Sequence, residues 1–152
     1  MTPKPKISNM KKLSLPKVVE MAALELGDDY VRELLDHAIK INKIIPRGKL
    51  KMLILSVCEV YEITEYKLMN TRERKFPRQY AMATLVYHLN VNEKLSFGEI
   101  KKVLKMSKSN AHRLVKTIEN LDTSKKMDSM IMKKTKHSYE IFNQKLNHNG
   151  RA

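Results

Sequence analysis

From Leu13 onward, apolar residues recur at helical spacing, and polar or conformationally special residues separate the runs. Ser14 and Pro16 predict a helix start, VVEMAALEL supplies a short helix, and Gly27 ends it. After Asp28 and Asp29, the side chains of Val31, Leu34, Leu35, Ala38, Ile41 and Ile45 share one face of a second helix, stopped by Pro46 and Gly48. A third helix, from about Lys49 to Tyr61, turns Leu50, Leu53, Ile54, Val57, Cys58 and Tyr61 inward. Ile63 to Asn70 predicts a short helix, and TRERKF (71–76) a basic loop. Pro77 suits a first helical position, because its fixed φ is helical and its missing N–H is not needed there. Ala81, Met82, Leu85, Val86 and Leu89 then form a stripe through Arg78–Asn90, with a break over Asn90–Lys94. Ser96 with Glu99 three residues on is the pattern of a capping box. It opens a helix over 97–104, followed by a turn at 105–108 and another helix over about 109–121. Met127, Met130, Ile131, Ile141, Phe142 and Leu146 follow at loosely helical spacing, before a frayed end, NHNGRA. No internal repeat is present. The expected fold class is all-α, a helical bundle.

Composition agrees with that pattern. Among 152 residues, Gly numbers 4 and Pro 5, while the helix formers Lys, Leu, Met and Glu are abundant. The length fits one domain, or a small domain with appended helices. A lone cysteine, Cys58, excludes an internal disulfide framework and reads as a small core residue in a reducing compartment. The basic start, MTPKPKISNMKK, has no apolar stretch behind it and is not a signal peptide. No apolar run approaches the roughly 18–20 residues of a membrane span. A cytoplasmic, nucleoid-associated location is expected.

Charge changes the picture more. The chain carries 30 Lys and Arg against 16 Asp and Glu, a net +14. From Arg72 to Lys116, eleven basic residues face three Glu, so more than half of the excess falls in 45 positions. Charge gathered over one motif attracts a polyanion, because each Lys or Arg set on a phosphate releases condensed counterions. The alternative is a solvated surface that promotes solubility.

The motif under that charge is two helices joined by a tight turn. Counting from Phe97, a helix-turn-helix needs apolar residues at the fourth, eighth, tenth, fifteenth and eighteenth positions, and Ile100, Leu104, Met106, Ala111 and Leu114 supply them. Lys101 and Lys105 stand where small residues are common, so a non-glycine at the turn has to accept positive φ. The second helix then buries Ala111, Leu114, Val115, Ile118 and Leu121, and shows Lys108, Ser109, Asn110, His112, Arg113 and Lys116 outward. In a major groove, Asn110 can bridge adenine N6 and N7, and Arg113 can fork onto guanine O6 and N7. Ser107, Lys108 and Lys116 suit phosphates, helped by the backbone N–H groups at the helix start. His112 either donates to the DNA or is a bystander. With His37, His88, His137 and His148 scattered, no metal cluster is expected.

Three segments together resemble a known family: VCEVYEI (57–63) before the basic loop, FPRQYAMATLVYHL (76–89), and LSFGEI (95–100). Residues 54–121 are similar to the C-terminal, Trp-repressor-like DNA-binding domain of the bacterial chromosomal replication initiator DnaA. The resemblance covers a little under half of the chain. It implies phosphate contacts for Arg78 and Gln79 and a minor-groove contact for Arg72 or Arg74 of the loop, which also contains Lys75. The loop is about three residues shorter than the family's. The family's recognition signature, Gly-Gly-Arg-Asp-His-Thr-Thr-Val, is replaced by KMSKSNA (105–111), so its DNA box is not inherited. No G-x-x-x-x-G-K-[ST] occurs, so the ATPase module is absent and no cofactor is expected.

The expected organisation is a basic disordered arm at 1–12, N-terminal helices at 13–47, a DnaA C-terminal-like domain at 48–122, and a C-terminal helix with frayed tail at 123–152. The expected function is sequence-specific binding of double-stranded DNA, in transcription or replication. The alternative is a helical adaptor whose basic face meets an acidic protein. RNA binding has little support, because the nine aromatics look mostly buried or scattered. No catalytic constellation can be assembled, so an enzyme is not expected. Residues 13–50, or the C-terminal helix, serve either to complete the core or to pair with a second copy or a helical partner.

Overall fold

A computed structural model describes residues 13–149, which hold eight α-helices and no strand. The basic arm expected at 1–12 and the last three residues of the frayed tail lie outside the described residues. The chain divides into two units, residues 1–42 and 43–152.

In the first unit, α1 (Leu15–Leu26) begins after Ser14 with Pro16 in its first turn, and Gly27 at φ 90° ends it. A left-handed φ of that size suits a residue without a Cβ. Helix α2 (Asp28–Ile44) places Asp28 and Asp29 in its first turn, where carboxylates meet the positive end of the helix dipole. Its apolar face is only partly covered. Val31 is buried and Ile41 half-buried, whereas Ala38 is exposed and Leu34 and Leu35 are 48% and 46% exposed. Periodicity located a face that favours burial and could not say what covers it.

The second unit contains the main core. Pro46 ends α2, but Gly48 does not. It lies inside α3 (Arg47–Tyr61), which starts two residues earlier than the sequence predicts. Leu53, Ile54, Val57, Cys58 and Tyr61 are buried as expected, and burial pushes the Cys58 thiol up to about 11, consistent with an inert core residue. Helix α4 (Glu65–Asn70) is capped by Thr64, whose hydroxyl accepts the Lys67 N–H. The 71–76 loop leads to Pro77, immediately before α5 (Arg78–Tyr87). The predicted stripe of α5 is buried, and so are Ala83, Thr84 and His88, because this helix lies against several others.

The break expected at 90–94 begins later, at Glu93. His88–Asn92 form a wide π-helical turn in which the Glu93 N–H donates to the His88 carbonyl. Asn90 closes the turn by donating to the Leu95 carbonyl at 2.9 Å. Helix α6 (Phe97–Leu104) has the full Ser96–Glu99 capping box, and α7 (Lys108–Glu119) follows after three residues. The last helix, α8 (Lys126–Asn149), extends through much of the stretch expected to fray and packs along α3. Lys134 donates to the Val60 carbonyl at 3.0 Å, while Phe142 and Ile131 are fully buried.

A polar thread runs between these helices. The Tyr61 hydroxyl meets Thr84 at 2.9 Å, and Thr84 meets Thr135 of α8 at 3.3 Å. His88 Nε2 lies 2.8 Å from the Ser138 hydroxyl, which itself donates to the Thr135 carbonyl. His88 Nε2 is therefore the donor to Ser138, and Nδ1 accepts from Asn92 at 2.8 Å. Burial pulls the His88 imidazole down to about 4, although a hydrogen bond to the Thr135 backbone acts the other way. The unfolded chain therefore takes up a proton near its ordinary value of 6.5, whereas the folded chain does so only near 4. Between those values the unfolded state binds more protons, so the stabilisation is complete above 6.5 and is lost as pH falls toward 4. Urea unfolding should show a loss of about 2 kcal/mol between pH 7 and pH 5 from this group. His88→Gln should flatten that part of the profile. An unchanged slope in the variant would remove His88 as the cause.

Candidate nucleic-acid interface

The 71–76 loop, the start of α5 and the α6–α7 connection enclose a cleft of 1160 Å³. Arg72, Glu73 and Arg74 line it from the loop, Arg78 and Gln79 from α5, and Lys105, Ser107, Asn110 and Arg113 from the connection and α7. Five basic residues thus face one acid. That acid, Glu73, has Lys67 3.4 Å away, which reduces its opposition to an incoming anion.

The local sequence explains the shape. Lys105 closes α6 in the left-handed region at φ 55°, so a non-glycine residue takes the positive φ of the turn. Ser107 then caps α7, its hydroxyl accepting the Asn110 N–H at 3.1 Å. Ala111, Leu114, Val115 and Ile118 are buried, which fixes the rotation of α7 and turns Asn110 and Arg113 toward the cleft. Leu121 and the turn residue Met106 are half-buried.

Seven of the twelve residues named from sequence line this cleft: Arg72, Arg74, Arg78, Gln79, Ser107, Asn110 and Arg113. They are not equivalent. Arg78 donates from Nε and Nη2 to the Leu68 carbonyl at 3.2 and 3.1 Å, so its guanidinium also ties α5 to the end of α4. Burial lowers its proton affinity, and Glu73 partly restores it. Arg72 and Arg74 are exposed, and neither makes a hydrogen bond or ion pair among the described residues.

The other five residues are absent from the lining. Lys75 and Ser109 are exposed outside it. The stem of Lys108 crosses the start of α6, where a Cβ on Gly98 would stand 3.5 Å from its Cε. His112 packs edge-on against Phe97 with ring centroids 5.3 Å apart, which gives it a role in holding α6 to α7. Lys116 bonds Glu119 at 3.0 Å along the same helix. Sequence reasoning missed Lys105 as part of the site; a cation within the turn itself was the available signal.

Among the described residues, no helix is long and apolar enough to cross a membrane. No family model, curated protein or solved structure matches the chain.

Proposed function

We propose that this protein binds double-stranded DNA sequence-specifically, as a transcriptional regulator or a replication-associated factor without enzymatic activity. The observation that carries this is the gathering of the loop arginines, the α5 start and α7 around one basic cleft. In this reading, α6 and α7 form a helix-turn-helix of the kind the DnaA resemblance implies. The N-terminal half of α7 enters the major groove, and the loop grips the backbone toward the adjacent minor groove. Contacts from the loop position the protein, whereas side chains of α7 specify the bases. The half-covered face of α2 is the surface that a second copy or a helical partner would use.

The two roles separate by mutation. In titrations of labelled duplexes, Arg72→Gln with Arg74→Gln should weaken preferred and random sequences by similar factors and lower the salt slope by about 2. Arg113→Ala should instead cost on the order of 1–3 kcal/mol, concentrated on the preferred site. Identical effects of both changes on both kinds of duplex would contradict the assignment of α7 as the reading helix.

A further inference from the structure

Within the cleft, Arg113 Nη2 donates to Asn110 Oδ1 at 2.7 Å, one helical turn away. This bond changes what Asn110 can offer. An amide oxygen accepts through two lone pairs, and here the Arg113 guanidinium occupies one of them. The two-point contact of asparagine with adenine needs that oxygen to accept from N6 while the NH₂ donates to N7. With one lone pair held by Arg113, the free groups of the pair are mostly donors: the Asn110 NH₂, which makes no hydrogen bond among the described residues, and the remaining N–H groups of Arg113.

The nearby carboxylates are already paired. The sole acid of α7, Glu119, is three residues beyond Lys116 and bonded to it. Glu73, the acid in the cleft lining, faces Lys67. Backbone geometry reinforces the pair at both ends: the Asn110 N–H is fixed on Ser107, and the Arg113 carbonyl accepts from Thr117 at 3.0 Å. Of the four base edges in the major groove, only guanine presents two acceptors, N7 and O6. Adenine and cytosine each present a donor that a donor-rich edge matches less well, and thymine presents one acceptor beside a methyl group.

We infer that α7 reads guanine, with Arg113 as the fork that meets N7 and O6 and Asn110 as the residue that orients it. This rests on the proposal that α7 is the reading helix, and it replaces the adenine contact that the sequence alone offers for Asn110. A preformed pair also lowers the ordering cost of placing a long, flexible guanidinium at the base edge.

The test uses the full chain and a pool of duplexes randomised over the bound region, selected at moderate salt. The wild type should enrich a site containing guanine at a fixed position. Rebuilding that site with 7-deazaguanine, which lacks the N7 acceptor, should weaken binding about tenfold, one hydrogen-bonding contact of a bidentate pair. Arg113→Lys keeps the charge but loses the fork. It should lose most of the preference at that position. Asn110→Ala should reduce the preference several-fold by releasing Arg113. An enriched site whose Arg113-dependent position is adenine, cytosine or thymine would overturn the guanine assignment and leave DNA reading by α7 standing. Insensitivity to 7-deazaguanine, or binding without any enrichment, would overturn it as well. Failure to recover any duplex would overturn the proposed function itself.

Discussion

Affinity for a random duplex should fall by roughly three to five orders of magnitude between 50 and 200 mM salt, with a log–log slope of about −5 to −8. The slope follows from engaging roughly six to nine phosphates at about 0.9 counterion released for each. The cleft supplies Arg72, Arg74, Arg78 and Lys105, and the N–H groups at the capped start of α7 add neutral donors that position the backbone without steepening the slope. Lys75 and Lys108 lie close by in sequence and extend the basic surface beyond the lining. Anisotropy titrations at four salt concentrations measure the slope directly. A value near zero would mean that the basic residues are a solvated surface, whatever binding remains.

The second large effect concerns the core. Phe142→Ala should destabilise the protein by about 3–5 kcal/mol, the range for emptying a large buried aromatic site. Phe142 has no exposed surface, and its ring lies 5.6 Å from Tyr139, which stacks at 5.1 Å on His88. The substitution removes this end of the stack and loosens α8 from the helices that present the cleft. Urea unfolding of wild type and variant reads the difference. A loss below about 1 kcal/mol would show that α8 contributes little to the bundle.

Helix existence was legible because the apolar spacing and the caps agree. Ser96 with Glu99 marks a start with a mechanism, and the apolar set from Ile100 to Leu114 agrees with the buried side of α7 at Ala111 and Leu114. What stayed hidden depends on partners far away in the chain. Thr135 and Ser138 look like a polar face of α8, yet they are buried because Thr84 and His88, about fifty residues earlier, complete their hydrogen bonds. Asn90 and Asn92 look like a break, yet their side chains serve the Leu95 carbonyl and His88 within a wide helical turn. In the site, charge singled out the stretch that holds the loop and α7, and both line one cleft. Charge and spacing could not reveal that Arg78 is partly committed to Leu68, that His112 packs on Phe97, or that Asn110 is already bonded to Arg113. Each of these is a choice among several partners that one side chain could take, and only the packed helices decide it.

The most direct test of the cleft as the DNA interface is an amide chemical-shift titration of isotope-labelled protein with a duplex at near-physiological salt. Shifts and broadening should concentrate at 71–79 and 105–113, with α1, α2 and the outer face of α8 unchanged. Perturbation centred on α2 or α8, with the cleft residues silent, would contradict the account.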